Sequence, residues 1–141
     1  MNILFIYTSQ IIANYGGVQK VTSVLSNFFS SKNNKCYYLS LEKYKISKQK
    51  NHYFLPNEEI NSDINKDYIK DVVIKNEINI IINQAALGGM MSELCYSVKE
   101  ISKVKILSVI HNSFLGNIDS FTNSNKKIFN LIPLSLIPFL N

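Results

Sequence analysis

The chain has 141 residues, 46% of them hydrophobic, which is enough for one packed domain and excludes wholesale disorder. The net charge is +5 and all 15 basic residues are lysine, so the chain lacks the bidentate guanidinium fork that reads guanine, and no nucleic-acid partner is expected. Lysine charge leaves room for attraction to an anionic membrane surface.

Cys36 and Cys95 stand far apart without a CxxC or metal-ligand spacing, so free core thiols are expected, with no metal and no resident cofactor. No basic region precedes the apolar run Ile3 to Tyr7, which is too short for a signal core. No stretch reaches the roughly 20 apolar residues of a membrane span. The expected location is cytoplasmic, at most peripheral at the inner face of the membrane.

In chain order, Ile3-Leu4-Phe5-Ile6-Tyr7 reads as a strand buried on both faces. A polar stretch ends in Tyr15-Gly16-Gly17. From there Val18, Val21, Val24, Leu25, Phe28 and Phe29 follow helical spacing, and this stripe is expected to face the core. Cys36 to Leu41 reads as a second strand. The mixed run 43–50 reads as a solvated loop, with an anionic surface as its sharper alternative. His52 to Leu55 is a short strand stopped by Pro56. Asn65 to Glu77 reads as a helix with Ile69, Val72 and Val73 inward, and Asp67 with Lys70 and Asp71 with Lys75 as charge pairs. Ile78 to Ile82 is a further buried strand. After Gly88-Gly89 a helix carries Leu94, Val98 and Ile101 on one face, and Val104 to Ile110 is the last clear strand.

Strands alternating with helices predict an α/β fold with a Rossmann-like, doubly wound parallel sheet in the order 3-2-1-4-5. Residues 128–140 are apolar and carry Pro133 and Pro138, and this tail reads as a sheet continuation cut short.

In such sheets ligands bind beyond the carboxyl ends of the strands. Three loops qualify: 9–18, 83–89 and the one beginning at His111. Gly16-Gly17 and Gly88-Gly89 each precede a helix, where free N–H groups and the dipole suit a phosphate. A plain tight turn is the competing reading for each pair. His111, at a strand end, has the chemistry of a proton donor or acceptor, against a purely structural role. His52 reads as incidental, and Glu93 and Glu100 read as a solvated helix face.

Residues 1–40 resemble the start of family 4 glycosyltransferases of the GT-B fold, through the run Tyr15-Gly16-Gly17-Val18-Gln19-Lys20-Val21-Thr22-Ser23-Val24-Leu25. The run 78–86 and the strand ending Val109-Ile110-His111-Asn112 fit the same lobe in the same order. The resemblance implies an incomplete N-terminal lobe, 1–116, with 117–141 as its truncated continuation. It implies the acceptor side of a retaining enzyme that moves a sugar from a nucleotide-sugar donor to a glycan or lipid-linked acceptor, in cell-surface polysaccharide synthesis. By resemblance, Gly16 and Gly17 approach the donor diphosphate and His111 lies near the transferred sugar as the catalytic candidate. The family's E-x7-E motif is absent: Glu93 and Glu100 are separated by six residues, and the fragment is expected to be inactive alone. A dinucleotide-binding Rossmann domain or a non-catalytic small-ligand module is the alternative. It draws on Glu42 near the end of strand two and is weakened by the lack of GxGxxG.

Overall fold

The computed structural model describes residues 1–13, 15–43, 50–86 and 89–111. The chain divides into two compact units, Met1–Ile110 and His111–Asn141, and His111 alone is described in the second. The expectations for the apolar tail, for Gly88 and for most of the lysine-rich loop fall outside the described residues.

The first unit runs β1 (Asn2–Ser9), α1 (Gly17–Ser31), β2 (Lys35–Glu42), β3 (His52–Phe54), α2 (Asp63–Lys75), β4 (Ile80–Asn83), α3 (Met90–Ser97) and β5 (Lys105–Ser108). The five strands form one sheet in the order β3-β2-β1-β4-β5, and every pairing is parallel. The predicted α/β class, order and strand sense therefore hold, with the helices flanking the sheet. Boundaries moved by one to three residues. The start of the fourth predicted strand, Ile78-Asn79, precedes the ladder, and β4 reaches Asn83 instead.

β1 is the centre of the unit. Its alternate residues serve two cores, as side chains on successive strand positions must. Leu4 and Ile6 join Leu39, Ile69, Val73, Ile81, Leu94 and Cys95 on the face covered by α2 and α3. Ile3 and Phe5 join Ile11, Cys36 and Ile82 on the opposite face, against Leu25 and Phe29 of α1. There the Phe5 ring sits 6.4 Å from Phe29 and 6.0 Å from Tyr38, centroid to centroid.

α2 follows its apolar spacing, with Ile69, Val72 and Val73 buried. It begins earlier than the apolar pattern indicates, because Ser62 caps it by accepting from the Asn65 N–H at 3.4 Å. Asn65 is fully buried and fastens the preceding loop, its amide donating to the Asn57 and Glu59 carbonyls, each at 2.9 Å. Lys70 meets Asp67 at 3.8 Å and Glu100 at 3.5 Å.

Two inward assignments are corrected. Ile101 is 44% exposed, because α3 tightens into a 3₁₀ turn at Val98–Glu100 and its phase shifts. Met91 and Cys95 take the buried positions beside Leu94. On α1 the outcome runs against the periodicity: Val21, Val24 and Phe28 are 45%, 61% and 56% exposed, while Gln19, Thr22 and Ser26 are buried. The helix lies on its small polar flank. Thr22 and Ser26 let it approach the sheet closely and satisfy their hydroxyls on the Val18 and Ser23 carbonyls at 2.7 and 3.0 Å. Bulkier side chains on that flank would hold the helix off the Phe5 and Tyr38 rings.

Both cysteines are buried free thiols, as expected, and burial pushes the Cys95 thiol up to about 12. His52 is structural: its ring stacks on Phe54 at 4.6 Å, and Nε2 lies 3.0 Å from the Ser40 hydroxyl. That hydroxyl donates to the Ser9 carbonyl at 3.1 Å, so Nε2 carries the proton and donates to Ser40. Burial lowers the His52 pKa from 6.5 to about 4. The folded state therefore prefers the neutral ring, and the stability present above pH 6.5 is lost as the pH falls from 6.5 towards about 4. Thermal melts across that range should show a steeper fall in Tm for the wild type than for His52→Gln. Parallel profiles would remove His52 from the acid response.

Candidate functional site

Because every strand is parallel, the loops leaving β1 and β4 emerge at the same edge of the sheet, on adjacent strands. Strand order reverses between β1 and β4, the position where open α/β sheets leave a crevice. A buried hydrogen bond ties α1 to the loop after β4: the Gln84 side-chain amide, just after β4, donates to the Thr22 hydroxyl in α1. The Gln84 N–H in turn donates to the Ile6 carbonyl of β1 at 2.9 Å. Next to it, Asn83 donates to Ser92 Oγ of α3 at 3.1 Å and accepts from the Ala85 N–H at 3.0 Å. The second turn of α1, at Thr22, is thus tied to the end of β4.

The first turn of α1 is built as a donor surface. Gly16, the N-cap residue, has an extended backbone (φ 168°) and offers no side-chain cap, and the first turn contains no acidic residue. The N–H groups of Gly17, Val18 and Gln19 have no intrahelical acceptor and carry the positive end of the dipole. The two glycines are both exposed but differ in their surroundings. A Cβ at Gly16 would lie 2.6 Å from Gln19 Oε1, whereas a Cβ at Gly17 would meet nothing within 4 Å. Neither needs glycine for its backbone angles.

The second glycine pair is different. Gly89 has φ 34°, a left-handed value that favours glycine by itself. The α3 first turn holds Glu93, whose carboxylate already offsets the dipole and repels an anion. Glu93 accepts from the Asn61 amide and Glu100 pairs with Lys70, so these two exposed carboxylates have the structural roles expected of a solvated face. Of the two helix starts, the α1 start is the one suited to a phosphate.

His111 is the first residue of the second unit, and the grouping described here concerns the first unit alone. Sequence reasoning named the glycines and the 83–89 loop but missed Gln19, Thr22 and Gln84. Their signal was present as polar residues at the inward helical positions of α1, and as a polar pair closing an apolar strand.

Beside the crevice, a cleft of about 560 Å³ opens at the carboxyl ends of β2 and β3, lined by Leu41, Glu42, Lys43, Leu55 and Pro56 among others. Glu42 there accepts from Ser9 Oγ at 2.6 Å, which ties the end of β2 to the end of β1. Among the described residues no group of His, Cys, Asp and Glu is arranged to hold a metal ion, and no helix is long and apolar enough to cross a membrane.

Compared with family models, curated proteins and solved structures, the chain matches none.

Two substitutions separate the structural bond from the donor surface. Thr22→Val removes the buried hydrogen bond to Gln84 and should cost roughly 1–3 kcal/mol in denaturant unfolding. Gly17→Ala meets open space and should leave stability unchanged or slightly higher, by under about 1 kcal/mol. A large loss in the alanine variant would mean that the fold itself requires Gly17.

Proposed function

We propose that this chain is the acceptor-side, N-terminal part of a retaining GT-B glycosyltransferase. In this reading it works on a nucleotide-sugar donor and a glycan or lipid-linked acceptor in cell-surface polysaccharide synthesis. The observation that carries the reading is the uncapped, glycine-fronted start of α1 beside the switch point between β1 and β4, with no acid in its first turn and open space over Gly17. The resemblance of residues 15–25 to the family's opening run supplies the chemical class.

In this reading the α1 start meets the donor diphosphate. The anomeric carbon leaves the diphosphate oxygen and forms its new bond to an acceptor hydroxyl oxygen, whose proton passes to the departing diphosphate. Charge builds on the departing diphosphate, and donors fixed in advance on that oxygen lower the barrier. The N–H groups of α1 are such donors. The cleft at Glu42 and Leu55 is of a size to take part of an acceptor, with carboxylates that receive sugar hydroxyls. A lipid-linked acceptor would bring the lysine-rich chain to an anionic membrane surface.

The second reading, a dinucleotide-binding module, is favoured by Glu42, which stands at the end of β2 next to the end of β1, where a ribose-binding acid is placed. One titration separates the two. Amide resonances of 17–19 should shift with uridine diphosphate and remain unmoved by NAD. Micromolar NAD binding that Glu42→Gln abolishes would establish the second reading instead. The 141-residue polypeptide alone should also transfer no sugar from any nucleotide sugar, since its sequence contains no E-x7-E motif. Robust turnover would overturn the assignment of donor chemistry to residues outside this chain.

A further inference from the structure

α1 turns its apolar stripe outward. Val21, Val24 and Phe28 are mostly exposed, and their spacing of three and four residues lines them up on one face. Leaving such a stripe in water forgoes the gain of burying three large side chains, and a contiguous apolar patch of this kind marks an interaction surface. The charge around it is one-sided. Lys20 stands one turn before Val24, and exposed Lys32 and Lys35 follow the end of the helix. The sequence holds no acidic residue from Met1 to Leu41, a span that takes in β1, α1 and β2 up to its last residue. The opposite layer differs. Asp63, Asp67 and Asp71 stand on α2 and Glu93 on α3, where Lys66 and Lys70 pair with acids. The sheet thus separates a face of apolar residues and cations from a face of mixed charge.

We infer that the outer face of α1 docks on an anionic lipid bilayer, with Val21, Val24 and Phe28 entering the headgroup boundary and Lys20, Lys32 and Lys35 meeting the lipid phosphates. An apolar protein groove would receive the stripe without needing the cations, and an acidic protein surface would meet the lysines without accommodating Phe28. A bilayer supplies both in layers, and a helix lying in its interface plane carries this combination. Lysine stems follow the apolar surface while their ammonium groups reach the phosphates. The inner flank of α1 stays packed on β1 and β2, so only the outer stripe enters the lipid. The inference rests on none of the sugar chemistry proposed above. Where that chemistry holds, it says which face of the chain meets the membrane.

The sequence contains no tryptophan, so single substitutions make clean reporters. Phe28→Trp reports from the outer face of α1, and Tyr96→Trp, at an exposed position of α3, from the opposite layer. The full chain is titrated with vesicles of phosphatidylcholine alone and of phosphatidylcholine and phosphatidylglycerol in equal parts. Emission of Phe28→Trp should shift to the blue with the anionic vesicles only, and emission of Tyr96→Trp should not move. In co-sedimentation with the anionic vesicles, Lys20→Glu should weaken binding roughly tenfold. Val24→Asp should weaken it at least as much while keeping the fold by thermal melt, with Val24→Ser as the variant to use should the aspartate not fold. Lys75→Glu makes the same change of net charge at the end of α2 and should weaken binding far less. Equal losses in Lys20→Glu and Lys75→Glu would reduce the attraction to net charge and overturn the assignment of the face. Absence of binding to the anionic vesicles, or equal blue shifts in both reporters, would overturn it as well. A concentration-dependent blue shift of Phe28→Trp without vesicles would seat a second copy of the chain on the face and overturn the membrane assignment. Each of these failures leaves the diphosphate titration of residues 17–19 unaffected, so the two readings fall separately.

Discussion

The structure depends on β1 being enclosed on all four sides. Its two edges are paired by β2 and β4, and its two faces are covered by α1 and by the α2–α3 layer. A strand in that position has to bond its backbone groups within the sheet, because water does not reach them. Its side chains are uniformly apolar from Ile3 to Ile6, as the strand requires when both faces are dry. Parallel pairing on both edges then fixes everything downstream. Each connection returns over a face and starts again from the opposite edge, so the loops after β1 and β4 emerge side by side.

That geometry makes a polar boundary in a fold whose centre is dry. At the carboxyl ends of the strands the burial does not stop where the apolar residues stop. Gln10, Gln19, Thr22, Ser40, Asn83 and Gln84 are all buried there. Burying this many polar groups costs free energy unless they find hydrogen-bond partners: Thr22 and Gln84 bond each other, Ser40 donates to the Ser9 carbonyl, and Asn83 donates to Ser92. The bond from Gln84 to Thr22 spans 62 residues. Bonds of this kind fix the relative position of loops that hydrophobic contact alone would leave adjustable. α1 is thereby tied to the end of β4 through Thr22.

Much of this was legible in the sequence, for a definite reason. Continuous apolar runs such as 3–7 and 78–82 state that a strand is buried on both faces, and alternation with helices leaves few topologies. The sheet order followed from those two facts. The orientation of α1 was not legible, because periodicity shows where the apolar stripe lies and not which flank meets the sheet. Small polar residues won that flank by permitting close approach, and their hydroxyls found backbone carbonyls at no net loss. Ile101 was misplaced because a 3₁₀ turn changes the residue spacing that the pattern assumes. Ser62 was passed over because a cap is a single residue without periodic signal. At the site, glycine pairs stand out in any sequence, whereas Gln19 and Gln84 become visible only once burial is known.

The two adjacent glycines of the α1 start illustrate how residues of one type answer to different constraints. At Gly16 a larger residue would have to displace the end of the Gln19 side chain, which shares that space. Gly17 has no such internal cause. Its backbone is helical, its Cβ position is empty, and alanine would serve a helix better there by lowering the entropy of the unfolded chain. Gly89 shows the third case, where the backbone angle alone is sufficient. When packing, angle and propensity all fail to account for a glycine, the remaining physical reason is close approach by something outside the chain. Gly17 lies beside exposed N–H groups at the positive end of a 15-residue helix, so the approaching group is expected to carry negative charge.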